Sequence, residues 1–140
     1  MKVPRRDFKS GTSNLNHIKI KINEIGPVKS GLSSKDETDF KGDKLNARYI
    51  PYTQVFSNEY LDESVKLEKV HISKDENQNQ VEYGDIIFTL SSETPNEVGM
   101  SSVVLFENNK GNVYLNSFCF FIQNKLNLNP LYMAYYFRSP

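Results

Sequence analysis

The stretch GDIIFTLSSETPNEVGMSSVV, Gly84 to Val104, changes character twice, and its reading decides the fold. Asp85 to Leu90, with Ile86, Ile87, Phe88 and Leu90 apolar, reads as a buried strand. Ser91 to Asn96 is then a patch of small hydroxyls, a carboxylate and a proline. At Met100 the chain turns apolar again, and SSVVLF reads as a second strand. A polar segment between two core strands belongs at the surface, because each buried and unpaired polar group costs about 1–3 kcal/mol.

Downstream, ENNKGN (Glu107 to Asn112) has the length and the glycine of a hairpin loop. VYLNSFCFFI follows as a predicted strand, with Val113, Leu115, Cys119 and Phe121 on one face and Tyr114, Phe118, Phe120 and Ile122 on the other. Both faces are mostly apolar, so this strand is expected to be central and covered on both sides, with Phe118 in the core. In NPLYMAYYFRSP, Asn129 suits a helix N-cap, Pro130 the first helical position and Arg138 the last turn.

Upstream the signals are weaker. Residues 1–16 read as a polar arm and 17–140 as one domain. HIKIKI alternates, with Ile18, Ile20 and Ile22 on one face, the period of a half-buried strand. NEIGPVKSGL is turn-rich, and SSKDETDFKGDKLNA reads as a surface loop with room for one helical turn. RYIPYTQVF, Arg48 to Phe56, is aromatic and β-branched and predicts a strand, which Pro51 assigns to an edge or a bulge. SNEYLDESVKL suggests a short helix capped by Ser57 or Asn58. EKVHIS is extended, and KDENQNQVEYGD is a solvated connection ending in a Tyr83-Gly84-Asp85 turn. Together these predict a mixed α/β (α+β) domain with a twisted, largely antiparallel β-sheet and short helices.

Composition narrows the function. The chain has 140 residues, 38% of them hydrophobic, enough for one core. Its 17 basic and 17 acidic residues cancel, which argues against an indiscriminate nucleic-acid binder but not against one with its cations on one face. Cys119, the lone cysteine, sits among Phe118, Phe120 and Phe121 and is expected to be a buried, inert thiol in a reducing cytoplasm. The charged N-terminus lacks the apolar region of a signal peptide, and no apolar run approaches the about 20 residues a membrane span needs.

Chemistry-bearing motifs are sparse. The sequence has no zinc-ligand spacing, Walker loop, G-x-G-x-x-G or G-x-S-x-G. His17 and His71 lie far apart in strand-like surroundings and read as surface or structural residues. Asp85, Glu93 and Glu97 are close enough in sequence for acid–base work or a metal, but Asp85 after Gly84 reads more simply as a turn residue bonding its own backbone. The polar segment carries more information. Ser91, Ser92, Thr94 and Asn96 both donate and accept, and Glu93 accepts, which suits base edges and phosphates. Composition alone fits a solvated loop better. Lys29, Lys35, Lys44 and Arg48, with Tyr49 and Tyr52 nearby, form a candidate phosphate-contacting segment, although Asp36, Glu37, Asp39 and Asp43 are interleaved.

The order GL…IPYTQVF…VEYGDIIFTLSSETPNEVGMSSVV…VYLNSFCFFIQ…LNPLYMAYYFRSP resembles a target recognition domain of the specificity subunit of type I restriction–modification systems. GDIIFT with its Ser/Thr segment and Val-rich strand, YLNSFCFFI, and LNPLYMAYYFRS resemble successive landmarks of that family, over roughly Val28 to Ser139. The resemblance implies sequence-specific double-stranded DNA binding without catalysis and without a cofactor or metal. Two such domains in the subunit each read half of a split target, and long helices between them dock methyltransferase and endonuclease subunits. Neither the spacer helix nor a second domain follows FRSP here, so a single-domain or truncated form, or a half-subunit pairing with a second copy or another half, is expected. The residues expected at DNA are Lys29, Lys35, Lys44, Arg48, Tyr52, Ser91, Ser92, Glu93, Thr94 and Asn96. The competing readings are a protein-interaction fragment without useful DNA affinity and, remotely, a hydrolase using Asp85 and Glu93.

Overall fold

A computed structural model describes residues 22–90, 100–109 and 111–138. The elements in order are α1 (Ile22–Ile25), β1 (Val28–Ser30), a 3₁₀ turn (Glu37–Phe40), β2 (Ala47–Ile50), α2 (Tyr52–Ser57), β3 (Tyr60–Leu61), β4 (Glu68–Val70), β5 (Ile86–Thr89), β6 (Ser101–Val104), β7 (Val113–Leu115), β8 (Cys119–Ile122) and α3 (Pro130–Arg138).

Two mostly antiparallel sheets replace the single sheet expected from sequence. The larger has the order β1-β8-β5-β6-β3, and the smaller β4-β2-β7. Among the described residues only β3 with β6 and β2 with β7 run parallel. The architecture is layered. Ile86, Phe88, Val103 and Ile122 of the larger sheet pack against Met133 and Ala134 of α3. The other face of that sheet presents Leu61, Ile87, Val104, Cys119 and Phe121 to Ile50, Val113 and Leu115 of the smaller sheet and to Val55 of α2. The outer face of the smaller sheet buries Ala47, Val70 and Tyr114 against Leu32. Strands β5, β6 and β8 are buried on both faces because both faces are covered; β5 and β8 are mostly apolar, whereas β6 carries the buried Ser101 and Ser102 beside Val103 and Val104.

Several predicted elements differ, each for a local reason. RYIPYTQVF is not one strand. β2 stops at Ile50, and Pro51, which has no N–H to continue a ladder, stands extended before α2. In that helix Tyr52 and Phe56, one turn apart, stack at 5.9 Å and Val55 is buried. Nor does Pro51 mark an edge, since β2 is the middle strand of its sheet. The helix predicted in SNEYLDESVKL is the two-residue strand β3 followed by a turn in which Asp62 accepts from Ser64 N at 3.0 Å. Glu107 to Asn112 does not close a hairpin, because β6 and β7 belong to different sheets. Ile22 opens α1 rather than closing a strand. His17 and the rest of the predicted HIKIKI strand, like the polar arm, lie outside the described residues.

The predicted strand Val113 to Ile122 is broken at residues 116–118, where the chain crosses from the smaller sheet to the larger. Asn116 makes the crossing. Its buried side chain donates to Ile50 O at 3.1 Å and accepts from Phe118 N at 2.7 Å. Phe118 is thereby turned outward and is 66% exposed, which corrects its assignment to the core. Cys119 lies four positions after Leu115, so the two-residue alternation survives, and Val113, Leu115, Cys119 and Phe121 do share one core. Gly31 is required beside this crossing, because a Cβ there would overlap the carbonyl oxygen of Asn116.

The last helix forms as its sequence dictates. Asn129 Oδ1 accepts from Tyr132 N at 3.0 Å, and Pro130 is the first helical residue. At the other end Arg138 donates to Ser101 O at 2.7 Å and to the carbonyls of Val55, Phe56 and Asn58 at 2.8, 3.1 and 2.9 Å. One guanidinium thus ties α3 to β6 and closes the C-terminus of α2, where a cation also complements the helix dipole. Among the described residues no helix is long and apolar enough to cross a membrane.

Candidate nucleic-acid interface

The strands on either side of the polar stretch Ser91 to Asn96 lie in the interior of the larger sheet. β5 and β6 are neighbours, with Phe88 opposite Ser101 and Ile86 opposite Val103. Beyond the ladder Thr89 N donates to Met100 O at 2.8 Å, and Leu90 N donates to Phe118 O at 2.9 Å. Both ends of the segment therefore leave the sheet at one place, from strands buried on both faces. Ser91, Ser92, Glu93, Thr94 and Asn96, and also Glu97, lie outside the described residues.

The expected cations divide into held and free. Lys35 is held: its side chain is only 6% exposed, with Nζ 2.6 Å from Glu76 Oε2 and 3.5 Å from Asp39 Oδ1. Glu76 also accepts from Ser73 N and Gln78 Nε2. These donors, Lys35 first, hold its carboxyl down at about 2. His71 Nδ1 lies 3.6 Å from Asp39 Oδ1. Lys35 thus fastens the 3₁₀ turn to the 71–78 connection, and its sequence-based reading as an open phosphate contact does not fit this engagement. Lys29 lies half-buried on edge strand β1, opposite Phe121. Tyr52 is half-buried against the inter-sheet core. Lys44 and Arg48 are exposed.

Strand register adds a residue that sequence reasoning missed. Arg48 of β2 stands directly opposite Lys69 of β4, and both are exposed. No carboxylate pairs with Lys44, Arg48 or Lys69 among the described residues. The neighbouring Glu68 is engaged with Tyr49 Oη at 2.9 Å, which with burial raises that phenol to about 12. A cleft of about 370 Å³ is lined by Leu45, Asn46, Arg48, Lys69, Gly111 and Asn112. Its far wall is fixed, since Arg48 N donates to Asn112 O at 3.0 Å and Asn112 N donates to Gln80 Oε1 at 2.6 Å. Gly111 and Asn112 take φ of 73° and 65°, the left-handed region these two residue types tolerate. On its other side Arg48 borders a cleft of about 280 Å³ floored by Val65, Leu67, Phe106 and Val113, with Glu63 and Glu107 on its rim. EKVHIS signalled that Lys69 lies on a strand, but nothing local signalled its partner.

Asp85 is a structural turn residue. It is 4% exposed, and its Oδ2 accepts from Glu82 N at 2.8 Å, the bond to its own backbone that the Gly-Asp turn predicts. Burial raises its carboxyl to about 6, against bonds from the Glu82 and Asn124 amides that lower it. Cys119 is 1% exposed on β8, between β1 and β5, and burial pushes its thiol up to about 11. No protein-family model matches this chain, and no curated protein matches it.

Proposed function

We propose that this chain is a target recognition domain of a type I restriction–modification specificity subunit, which binds one part of a double-stranded DNA target sequence and performs no chemistry itself. The ordered resemblance of four motifs motivates the reading. The observation that carries it is the pairing of the strands on either side of residues 91–99: Thr89 N donates to Met100 O, and Phe88 stands opposite Ser101. Donors and acceptors held on a stiff base can discriminate bases, at about 1–3 kcal/mol for each good bidentate pair. In this reading Ser91, Ser92, Glu93, Thr94 and Asn96 read the target and Lys44 and Arg48 contact phosphates. Methyltransferase and endonuclease subunits, and a second copy or half-subunit, complete the assembly in the cytoplasm.

A second reading, a protein-interaction fragment without useful DNA affinity, draws on Leu131 and Tyr135, one turn apart and exposed on α3. Selection from a random duplex library separates the two. The parent chain is expected to enrich one defined sequence, and the S92A/E93A/N96A variant to lose that preference while keeping non-specific affinity. Enrichment of the same target by the variant would overturn the recognition role of the segment. Retention of no duplex even at low salt would favour the interaction fragment.

A further inference from the structure

The geometry points to Arg48 and Lys69 as a two-cation clamp for one phosphate oxyanion, in the cleft closed by Gly111 and Asn112. This deepens the DNA-binding reading and rests on it for the source of the phosphate. The register sets Arg48 directly opposite Lys69, so their Cβ atoms start only about 5 Å apart on the same face. Like charges facing each other across two strands repel, and here no carboxylate of the described residues pairs with either. The cleft that both line has no acidic residue in its lining. Glu63 and Glu107 stand across the other cleft, where Glu63 accepts from Glu107 N at 3.3 Å and forms no ion pair with Arg48.

The two side chains are complementary as anion ligands. A guanidinium fork takes the two non-bridging oxygens of a phosphate in its plane, and an ammonium adds a point charge beside one of them. The backbone beneath Arg48 is fixed, being paired on both sides by β4 and β7 and bonded to Asn112 O. Lys44, exposed just before β2, extends the same basic segment. The shared ligand chemistry is a phosphate group, supplied either by a DNA backbone or as free phosphate.

The test uses the full chain and two probes. With inorganic phosphate against chloride at equal ionic strength, NMR of the parent is expected to shift the Arg48 Nε–H and the Lys69 backbone amide saturably. The shift of the residue-69 backbone amide vanishes in R48Q/K69Q and weakens in R48K, which keeps the charge but not the fork. With duplex DNA, log affinity against log salt changes slope by about 0.9 for each phosphate neutralised. A clamp on one phosphate therefore predicts that R48Q/K69Q flattens the slope by about one in total, whereas K74Q, which removes a charge on an exposed turn, keeps the phosphate shifts. Unchanged far-UV circular dichroism in each variant confirms the fold. Phosphate binding at this pair without duplex binding would uphold the clamp and overturn the DNA reading. Phosphate shifts no larger than those with chloride, or a double variant flattening the slope by about two, would overturn the clamp.

Discussion

Replacing Asp85 by Asn is predicted to stabilise the protein at neutral pH and to remove most of one pH dependence. The carboxyl is buried beneath the turn that starts β5 and is raised to about 6, chiefly by burial. An acid whose folded pKa exceeds its unfolded value binds its proton more readily when folded. Its penalty is absent below the unfolded value near 4, develops as the pH rises through about 6, and is complete near pH 7 to 8. At 1.36 kcal/mol per pH unit, a rise from 3.8 to about 6 is worth at most about 3 kcal/mol, and partial solvation reduces this to about 1–2 kcal/mol. The amide oxygen that D85N introduces can still accept from Glu82 N, so the turn keeps its principal bond. Urea unfolding of both proteins at pH 4 and pH 8 reads the effect. The two should differ little at pH 4, and D85N should be more stable at pH 8 by about 1–2 kcal/mol. A variant less stable than the parent at pH 8 would refute the reasoning, because the bonds to the charged carboxylate would then outweigh the cost of its burial.

F121A should cost about 3–5 kcal/mol in equilibrium unfolding, since Phe121 is fully buried between the sheets, whereas F118A should fall within about 0.5 kcal/mol of the parent. R138Q removes a charged donor from four carbonyls and should cost about 2–4 kcal/mol, with amide exchange accelerated in α2 and α3. A thiol reagent should label Cys119 only as fast as the protein unfolds, and rapid labelling of the native state would contradict its burial on β8.

What was legible in the sequence was local. Asn129, Pro130 and Arg138 carry their own instructions, and α3 begins and ends on them. The alternation of Val113, Leu115, Cys119 and Phe121 sorted a core correctly even across a strand break, because parity depends only on spacing. What was not legible is non-local. Nothing within Val113 to Ile122 says that Asn116 will bond Ile50, 66 residues away, and turn Phe118 to solvent. Pro51 reads locally as a strand irregularity, but it ends β2 and caps α2, and the chain then pairs in the other sheet as β3. Lys35 looked like an available cation until Glu76, 41 residues on, closed on it. Lys69 gained significance only from its register with Arg48.

The central claim is sequence-specific DNA binding, and its most direct measurement is the ratio of affinities for the selected duplex and for a scrambled duplex of equal composition. The measurement is made by fluorescence anisotropy at physiological salt, with the chain alone and with a methyltransferase subunit added. The account predicts a ratio of about a thousand or more for the assembled complex, with the selected duplex preferred by the chain alone as well. A ratio of one in both states would contradict it.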